Sequence, residues 1–308
     1  MIYVQDIKKT YGKVQALKGV SLEVKKGELF GLIGPDGAGK TTLMRILMSL
    51  LLPDSGQATM NGYDVVKEYK QIRMQTGYMP GRFSLYPDLT VEENLDFFAT
   101  VFGTSISENY DLIKDIYVQI EPFKNRRAGK LSGGMKQKLA LSCAMIHKPK
   151  VLILDEPTTG VDAVSRKEFW EMLMRLKAQG ITILVSTPYM DEATLCDRIA
   201  LIEKGNIFGV DTPQQLMKNF PEDLWSVKTA SSLYQTAKKL QKLPHMISVN
   251  SFGQSLHVVI PKGKVSKTEI IAFLEEEGET NIVVEQIQAT IEDVFILTTS
   301  KQTSRVSL

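Results

Sequence analysis

Gly34-Pro35-Asp36-Gly37-Ala38-Gly39-Lys40-Thr41-Thr42 is the stretch on which the fold turns. It fits the pattern G-x-x-x-x-G-K-S/T and stands between an apolar run, Leu29 to Ile33, and a helical pattern that opens at Lys40. In a strand, loop, helix setting, the glycines let the backbone wrap an anion, with successive N–H groups pointing inward at a helix N-terminus. Lys40 is then positioned for the β- and γ-phosphates of a nucleotide, and Thr41 for a bound Mg²⁺. A chance glycine-rich turn is the alternative, and the flanking strand and helix argue against it.

Working outward, Val151-Leu-Ile-Leu154 and Ile181-Thr-Ile-Leu-Val185 are short apolar runs typical of strands buried on both faces in a parallel sheet. Between them, Phe169, Met172, Leu173 and Leu176 recur at helical spacing, and Gly180 stops the helix. The first of these strands runs into Asp155-Glu156, which puts two carboxylates at a strand end, where parallel sheets present ligand sites. Asp155 would hold Mg²⁺, directly or through water, and Glu156 would orient or deprotonate the attacking water. An acidic strand cap is the alternative, and the phosphate loop argues against it.

From about Arg82 to Pro149 the pattern is mostly helical, which predicts a helical subdomain inserted into the α/β unit. Near its end, Leu131-Ser132-Gly133-Gly134-Met135 precedes an amphipathic helix whose Met135, Leu139, Cys143 and Ile146 share a face, with Ser132 as its cap. Alone, this segment signals only a helix start. Ile199 to Val210 reads as a hairpin turning about Gly205, and after Pro213 a short helix leads to strand-like runs at Trp225 to Val227 and Ser255 to Ile260.

In that order, the phosphate loop, the helical insertion, Leu-Ser-Gly-Gly-Met and Val-Leu-Ile-Leu-Asp-Glu-Pro resemble the nucleotide-binding subunit of ATP-binding-cassette transporters, from Met1 to about Pro221. The resemblance implies an α/β P-loop NTPase (RecA-like) core over residues 1–222 that contains the helical subdomain at about 82–149, while the pattern after Pro213 predicts a small C-terminal α+β appendage over 223–308. It implies a transport-coupled ATPase using ATP and Mg, with Lys40 and Glu156 catalytic, Gly34 to Thr42 on the phosphates, and Thr41 and Asp155 on the metal. It also implies head-to-tail pairing with a second nucleotide-binding subunit, in which Leu131, Ser132, Gly133, Gly134, Met135 and Asp162 serve the partner's site. Tyr11 would stack on adenine, with a core aromatic as the alternative. A membrane permease would hold the chain at the cytoplasmic face of the membrane. The tail Ala289-Thr-Ile-Glu-Asp-Val-Phe295 resembles the closing segment of subunits serving ABC-2-type multidrug and polyether exporters.

Two positions depart from the family's pattern. Gly81 follows Gly77-Tyr-Met-Pro80 where a Gln usually contacts Mg²⁺ and water, and Pro188 follows Ser186-Thr187 where a His usually contacts the γ-phosphate. Neither replacement has a side-chain donor, so the expected site binds ATP and turns it over slowly. A sibling cassette carrying the missing Gln and His would complete a working pair. A regulatory ATP-binding module without transport is the second reading.

The bulk properties fit. A length of 308 residues suits two domains, and 43% hydrophobic with 23% charged residues is ordinary for a globular chain. A formal charge of +2 supplies no nucleic-acid surface. Cys143 and Cys196 lack metal spacing and read as buried apolar residues. No secretory pattern opens the chain, and no apolar run approaches the roughly 18–20 residues of a membrane span. His147, His245 and His257 carry no site role. Of Phe83, Leu85, Tyr86, Phe97, Phe98 and Phe102, most are expected to be subdomain core, with Phe83 and Tyr86 the candidates for permease contact.

Overall fold

Leu29–Ile33, Val151–Asp155 and Thr182–Thr187 are buried at every position. In the computed structural model, which describes residues 1–306, they lie adjacent within a six-stranded sheet. Its order is Asn206–Asp211, Arg198–Glu203, Leu29–Ile33, Thr182–Thr187, Val151–Asp155, Thr76–Met79. All neighbours are parallel except the edge hairpin Arg198–Glu203 with Asn206–Asp211. Helix Lys40–Leu47 packs on Val151–Asp155, and helix Ala163–Ala178 packs on Leu29–Ile33 and Thr182–Thr187. Strands covered this way are apolar on both faces through their middle, which is why these runs show no alternation, while polar Asp155, Ser186 and Thr187 stand at their carboxyl ends.

Register decides what leaves the sheet together. Ile33 pairs with Thr187, and Asp155 pairs with Ser186. Gly34, Glu156 and Pro188 therefore emerge side by side at the carboxyl ends of the three strands. A second, antiparallel sheet runs Val14–Val24, Ile2–Tyr11, Ser55–Met60, Tyr63–Asp64. Its Ile2, Val4, Ile7, Leu17 and Val20 share one core with Phe30, Leu32, Leu43 and Met44.

The helical insertion consists of Val91–Val101, Ile106–Tyr117 and Gly133–Met145, the first two packed on the third. Each has a side-chain cap: Thr90 with Glu93 in a capping box, Ser105, and Ser132 accepting from Met135 N–H. The third helix is less amphipathic than its sequence implies, because Leu139, Leu141, Ser142, Cys143, Ala144 and Met145 are all buried. It is the helix around which the insertion is packed. Burial pushes both the Cys143 and Cys196 thiols up, as inert apolar residues require. Phe97 departs from the core expectation and is exposed, as are Phe83 and Tyr86, whereas Leu85 is buried.

The chain divides into compact units between Pro213 and Gln214. That coincides with the change of pattern after Pro213 and lies upstream of the boundary expected between residues 222 and 223, because Phe220 packs against Leu224 and Val259 of the second unit. This unit is a βαββαβ arrangement: strand Asp223–Lys228, helix Leu233–Leu240, strands Ser248–Phe252 and Ser255–Ile260, helix Lys267–Glu276 and strand Val283–Gln286. Its strand order is Ser248–Phe252, Ser255–Ile260, Asp223–Lys228, Val283–Gln286. One core gathers Trp225, Val227, Leu256, Val258 and Ile260 with Leu240, Ile270 and Leu274. Leu224 and Val259 form another with Ala289 and Leu297. His257, expected to be without a site role, is a buried partner of Asp293, 2.8 Å away. Residues 307 and 308 of the expected appendage lie outside the described residues. Among the described residues no helix is long and apolar enough to cross a membrane.

Ser132 and Asp162 each cap a helix, the latter accepting from Ser165 N–H at 3.0 Å. Replacing either by alanine is expected to lower stability by about 1 kcal/mol, and Asp162→Asn by much less, in chemical denaturation. His147 stacks on Phe102 with ring centroids 3.8 Å apart, and burial pushes its pKa down to about 4. Its unfolded value is about 6.5, so between these limits the unfolded chain binds the extra proton and stability falls as pH falls. Denaturation midpoints compared at pH 7 and pH 5 should drop less in His147→Phe than in the wild type.

Candidate functional site

The loop from Gly34 to Gly39 is shaped by backbone demands that only glycine meets at two points. A Cβ on Gly34 would stand 2.0 Å from the Ile202 carbonyl oxygen. At Gly39, φ is +106° and a Cβ would lie 2.6 Å from the Ala16 carbonyl oxygen. Gly37 also has positive φ, but the space around it is open. The loop is pinned by Gly34 N–H donating to Thr187 O and by Ala38 O accepting from Gly205 N–H. Helix Lys40–Leu47 then begins with no side-chain cap and no acidic residue in its first turn. Its N–H groups and the positive end of its dipole are therefore left for an anion.

Lys40 is 3% exposed. Its ammonium donates to Gly34 O at 2.7 Å and Pro35 O at 3.0 Å, and pairs with Glu156 Oε1 at 3.0 Å. An ammonium has three donors, and here each has an oxygen, which is what makes so buried a cation tolerable. The pair also brings the two residues assigned catalytic roles into contact.

Glu156 sits at φ +50°, in the left-handed region. It is held there by its own N–H, which reaches both Ser186 O at 3.1 Å and Ser186 Oγ at 3.0 Å. The Ser186 hydroxyl in turn donates to Asp155 Oδ1 at 2.7 Å. Burial, reinforced by the negative Asp155 carboxylate, pushes the Tyr78 phenol up to about 12. Next to them, buried Glu192 accepts from the hydroxyls of Thr158 and Thr187, both also buried.

A cavity of about 200 Å³ is lined by Tyr11, Ala16, Gly37, Ala38, Gly39, Lys40, Thr41, Thr42 and Glu156. Exposed Tyr11 thus stands with the loop rather than in the core. Gly34 is buried behind the loop, and Pro35 and Asp36 are exposed on it. The described residues contain no group of three or more His, Cys, Asp or Glu side chains suited to a metal. Mg²⁺ carried by phosphates needs only one or two protein oxygens, and the Thr41 hydroxyl with the Asp155 carboxylate is a donor set of that hard-oxygen kind.

Leu131 to Met135 and Asp162 do not line this cavity. They form a separate surface: Gly134 fits against Ser165, whose Oγ would be 2.4 Å from a Cβ there, and Lys138 pairs with Glu168 at 2.7 Å. Ser132, Gly133 and Asp162 are exposed, Met135 is half-buried, and Leu131 and Gly134 are buried.

Ser186 and Glu192 escaped the sequence reading. The available signal was a hydroxyl residue ending an otherwise apolar strand, but its partner 31 positions away is set by strand register. A groove of about 430 Å³ was also not foreseen; Met48, Leu50, Met79, Leu85, Phe98 and Phe102 are among its walls. Because Gly34 has no room for a methyl group and Gly37 does, Gly34→Ala should lower stability by roughly 1–3 kcal/mol and impair nucleotide binding. Gly37→Ala should be milder in both respects, as urea denaturation and nucleotide titration would show.

A family model described as ABC transporter matches residues 17–159. The chain is 39% identical over 287 residues to the probable multidrug ABC transporter ATP-binding protein YbhF of Escherichia coli (strain K12), covering 91% of this chain and 48% of that protein. It thus spans about half the length of that relative. It is 33% identical to the linearmycin resistance ATP-binding protein LnrL of Bacillus subtilis (strain 168), covering 92% of this chain and 90% of that one. A solved ATP-binding subunit of an ABC transporter superposes with a TM-score of 0.65 at 30% identity, covering 71% of this chain and 93% of its own. A dimeric ATP-binding cassette, MJ0796, in a post-hydrolysis state bound to ADP and Pi gives 0.63 at 27% identity, covering 69% and 98%. With the phosphate loop and paired carboxylates assembled at the carboxyl ends of neighbouring strands, and with 33% identity along nearly all of the Bacillus relative, the chain belongs to the ABC transporter ATP-binding family.

Proposed function

We propose that this chain binds ATP·Mg as the nucleotide-binding subunit of an exporter, with slow turnover at its own site. The observation that carries the reading is the single cavity that gathers Tyr11, the phosphate loop, Lys40, Thr41 and Glu156. Loop N–H groups and Lys40 would hold the phosphates, Tyr11 the base, and Glu156 the attacking water. Mg²⁺, when bound through Thr41 and Asp155, would neutralise developing phosphate charge. The export direction draws on relatives that include a Nod factor export ATP-binding protein of Burkholderia lata, 39% identical over 218 residues.

Slow turnover follows from what the site lacks. A side chain at residue 81 would begin 3.7 Å from Asp155 Oδ2, and glycine supplies none. Pro188 has neither a side-chain donor nor an N–H. Losing one preorganised donor costs roughly 10²–10³ in rate in a well-studied protease. Ser132, Gly133 and Asp162 remain exposed on their separate surface, suited to a sibling cassette that carries the missing Gln and His. A membrane permease would take the apolar groove bordered by Phe98 and Phe102, with exposed Phe83 and Tyr86 nearby in the chain, holding the subunit at the cytoplasmic face of the membrane.

The test is ATP binding and turnover by the purified chain beside Glu156→Gln. Tight Mg²⁺-dependent binding with little turnover is the expected result, and brisk hydrolysis by a homodimer that vanishes in Glu156→Gln would overturn the slow-site assignment. The Gly81→Gln, Pro188→His double variant should gain turnover, by about 10²-fold or more if both donors seat. A Cβ at residue 81 meets Asp155 O at 3.1 Å, so the change asks only a small local shift.

A further inference from the structure

We propose that Ser186 is the positioning residue of the metal site, fixing both acidic residues through one hydroxyl. This rests on the ATP·Mg reading above. Ser186 is fully buried at the end of strand Thr182–Thr187, a polar residue among Ile183, Leu184 and Val185. Its hydroxyl has one proton to give, and it gives it to Asp155 Oδ1 at 2.7 Å. The same oxygen accepts the Glu156 N–H at 3.0 Å. The bond from Ser186 to Oδ1 restrains rotation of the Asp155 carboxylate about its Cβ–Cγ bond, and Oδ2 lies 3.7 Å from where a Cβ at residue 81 would stand.

A carboxylate that binds a metal is normally oriented by a second hydrogen-bonding group, and loss of that group costs about 10–100-fold in metal affinity or activity. Gly81 cannot provide such a group. Ser186 does so from the neighbouring strand, because register sets it beside Asp155. It acts on Glu156 as well. Its carbonyl and hydroxyl oxygens both take the Glu156 N–H, stabilising a left-handed backbone that a non-glycine residue rarely adopts. Ser186 therefore couples the orientation of the metal carboxylate to the direction in which the Glu156 side chain leaves the strand.

The test titrates Mg²⁺ against the full chain with a fluorescent ATP analogue and repeats the analogue titration in EDTA. In Ser186→Ala the Mg²⁺ concentration needed for half-maximal enhancement of binding should rise about tenfold or more, while affinity in EDTA stays unchanged. Ser186→Cys, close in volume with a weaker donor, should fall between the two. If Ser186→Ala fails to fold, Ser186→Cys carries the same comparison. An unaltered Mg²⁺ requirement would overturn the proposal, and so would equal weakening with and without Mg²⁺, which marks general damage to the strand. A wild-type chain whose analogue binding ignores Mg²⁺ would instead overturn the ATP·Mg reading on which the proposal rests.

Discussion

The end of strand Thr182–Thr187 is the point on which the site depends. Its two neighbours carry the phosphate loop and the paired acids, and it bonds to both. Thr187 O accepts from Gly34 N–H, while Ser186 O and Oγ accept from Glu156 N–H. These bonds lie just beyond the regular ladder, where departing chains would otherwise have unpaired N–H groups in a buried setting. The hydrogen bonds that satisfy the backbone are the same ones that set the distance between the phosphate-binding loop and the acids.

Charge balance is the second constraint. Lys40 is buried, and an unpaired ammonium there would cost several kcal/mol. Two carbonyls and Glu156 remove that cost. Under the proposed ATP·Mg reading, phosphate oxygens would compete with Glu156 for the same cation. Glu192 plays a comparable part beside the strand end, taking the hydroxyls of Thr158 and Thr187 with Arg166 at 3.8 Å. A network of that kind holds the loops after two strands without any contribution from residue 188.

The second unit obeys a different logic. Strand Ser255–Ile260 is buried at all positions, one set of side chains joining the core with Leu240 and Leu274 and the other including Val259 and His257. The Ala289 to Phe295 segment, read from sequence as a mark of exporters, has a plain structural task. Thr290 and Asp293 hydrogen-bond reciprocally at the start of helix Ile291–Val306, and Asp293 pairs with His257.

The sequence by itself determined what is local: the phosphate loop with its flanking strand and helix, the Asp155-Glu156 pair at a strand end, the Ser132 cap, and the hairpin about Gly205. These depend on backbone preference, burial period and a few neighbouring residues, all written within short windows of chain. It missed strands Ser248–Phe252 and Val283–Gln286, which are short, partly exposed edges of the second unit's sheet with little apolar pattern. Tertiary structure alone decided that Ser186 would reach Asp155, that Tyr11 would stand beside the loop, that Phe97 would face solvent, and that Phe220 would draw the boundary back to Pro213. Strand register and helix placement set those relations between residues tens of positions apart, and a one-residue slip would have changed every partner without altering a single local motif.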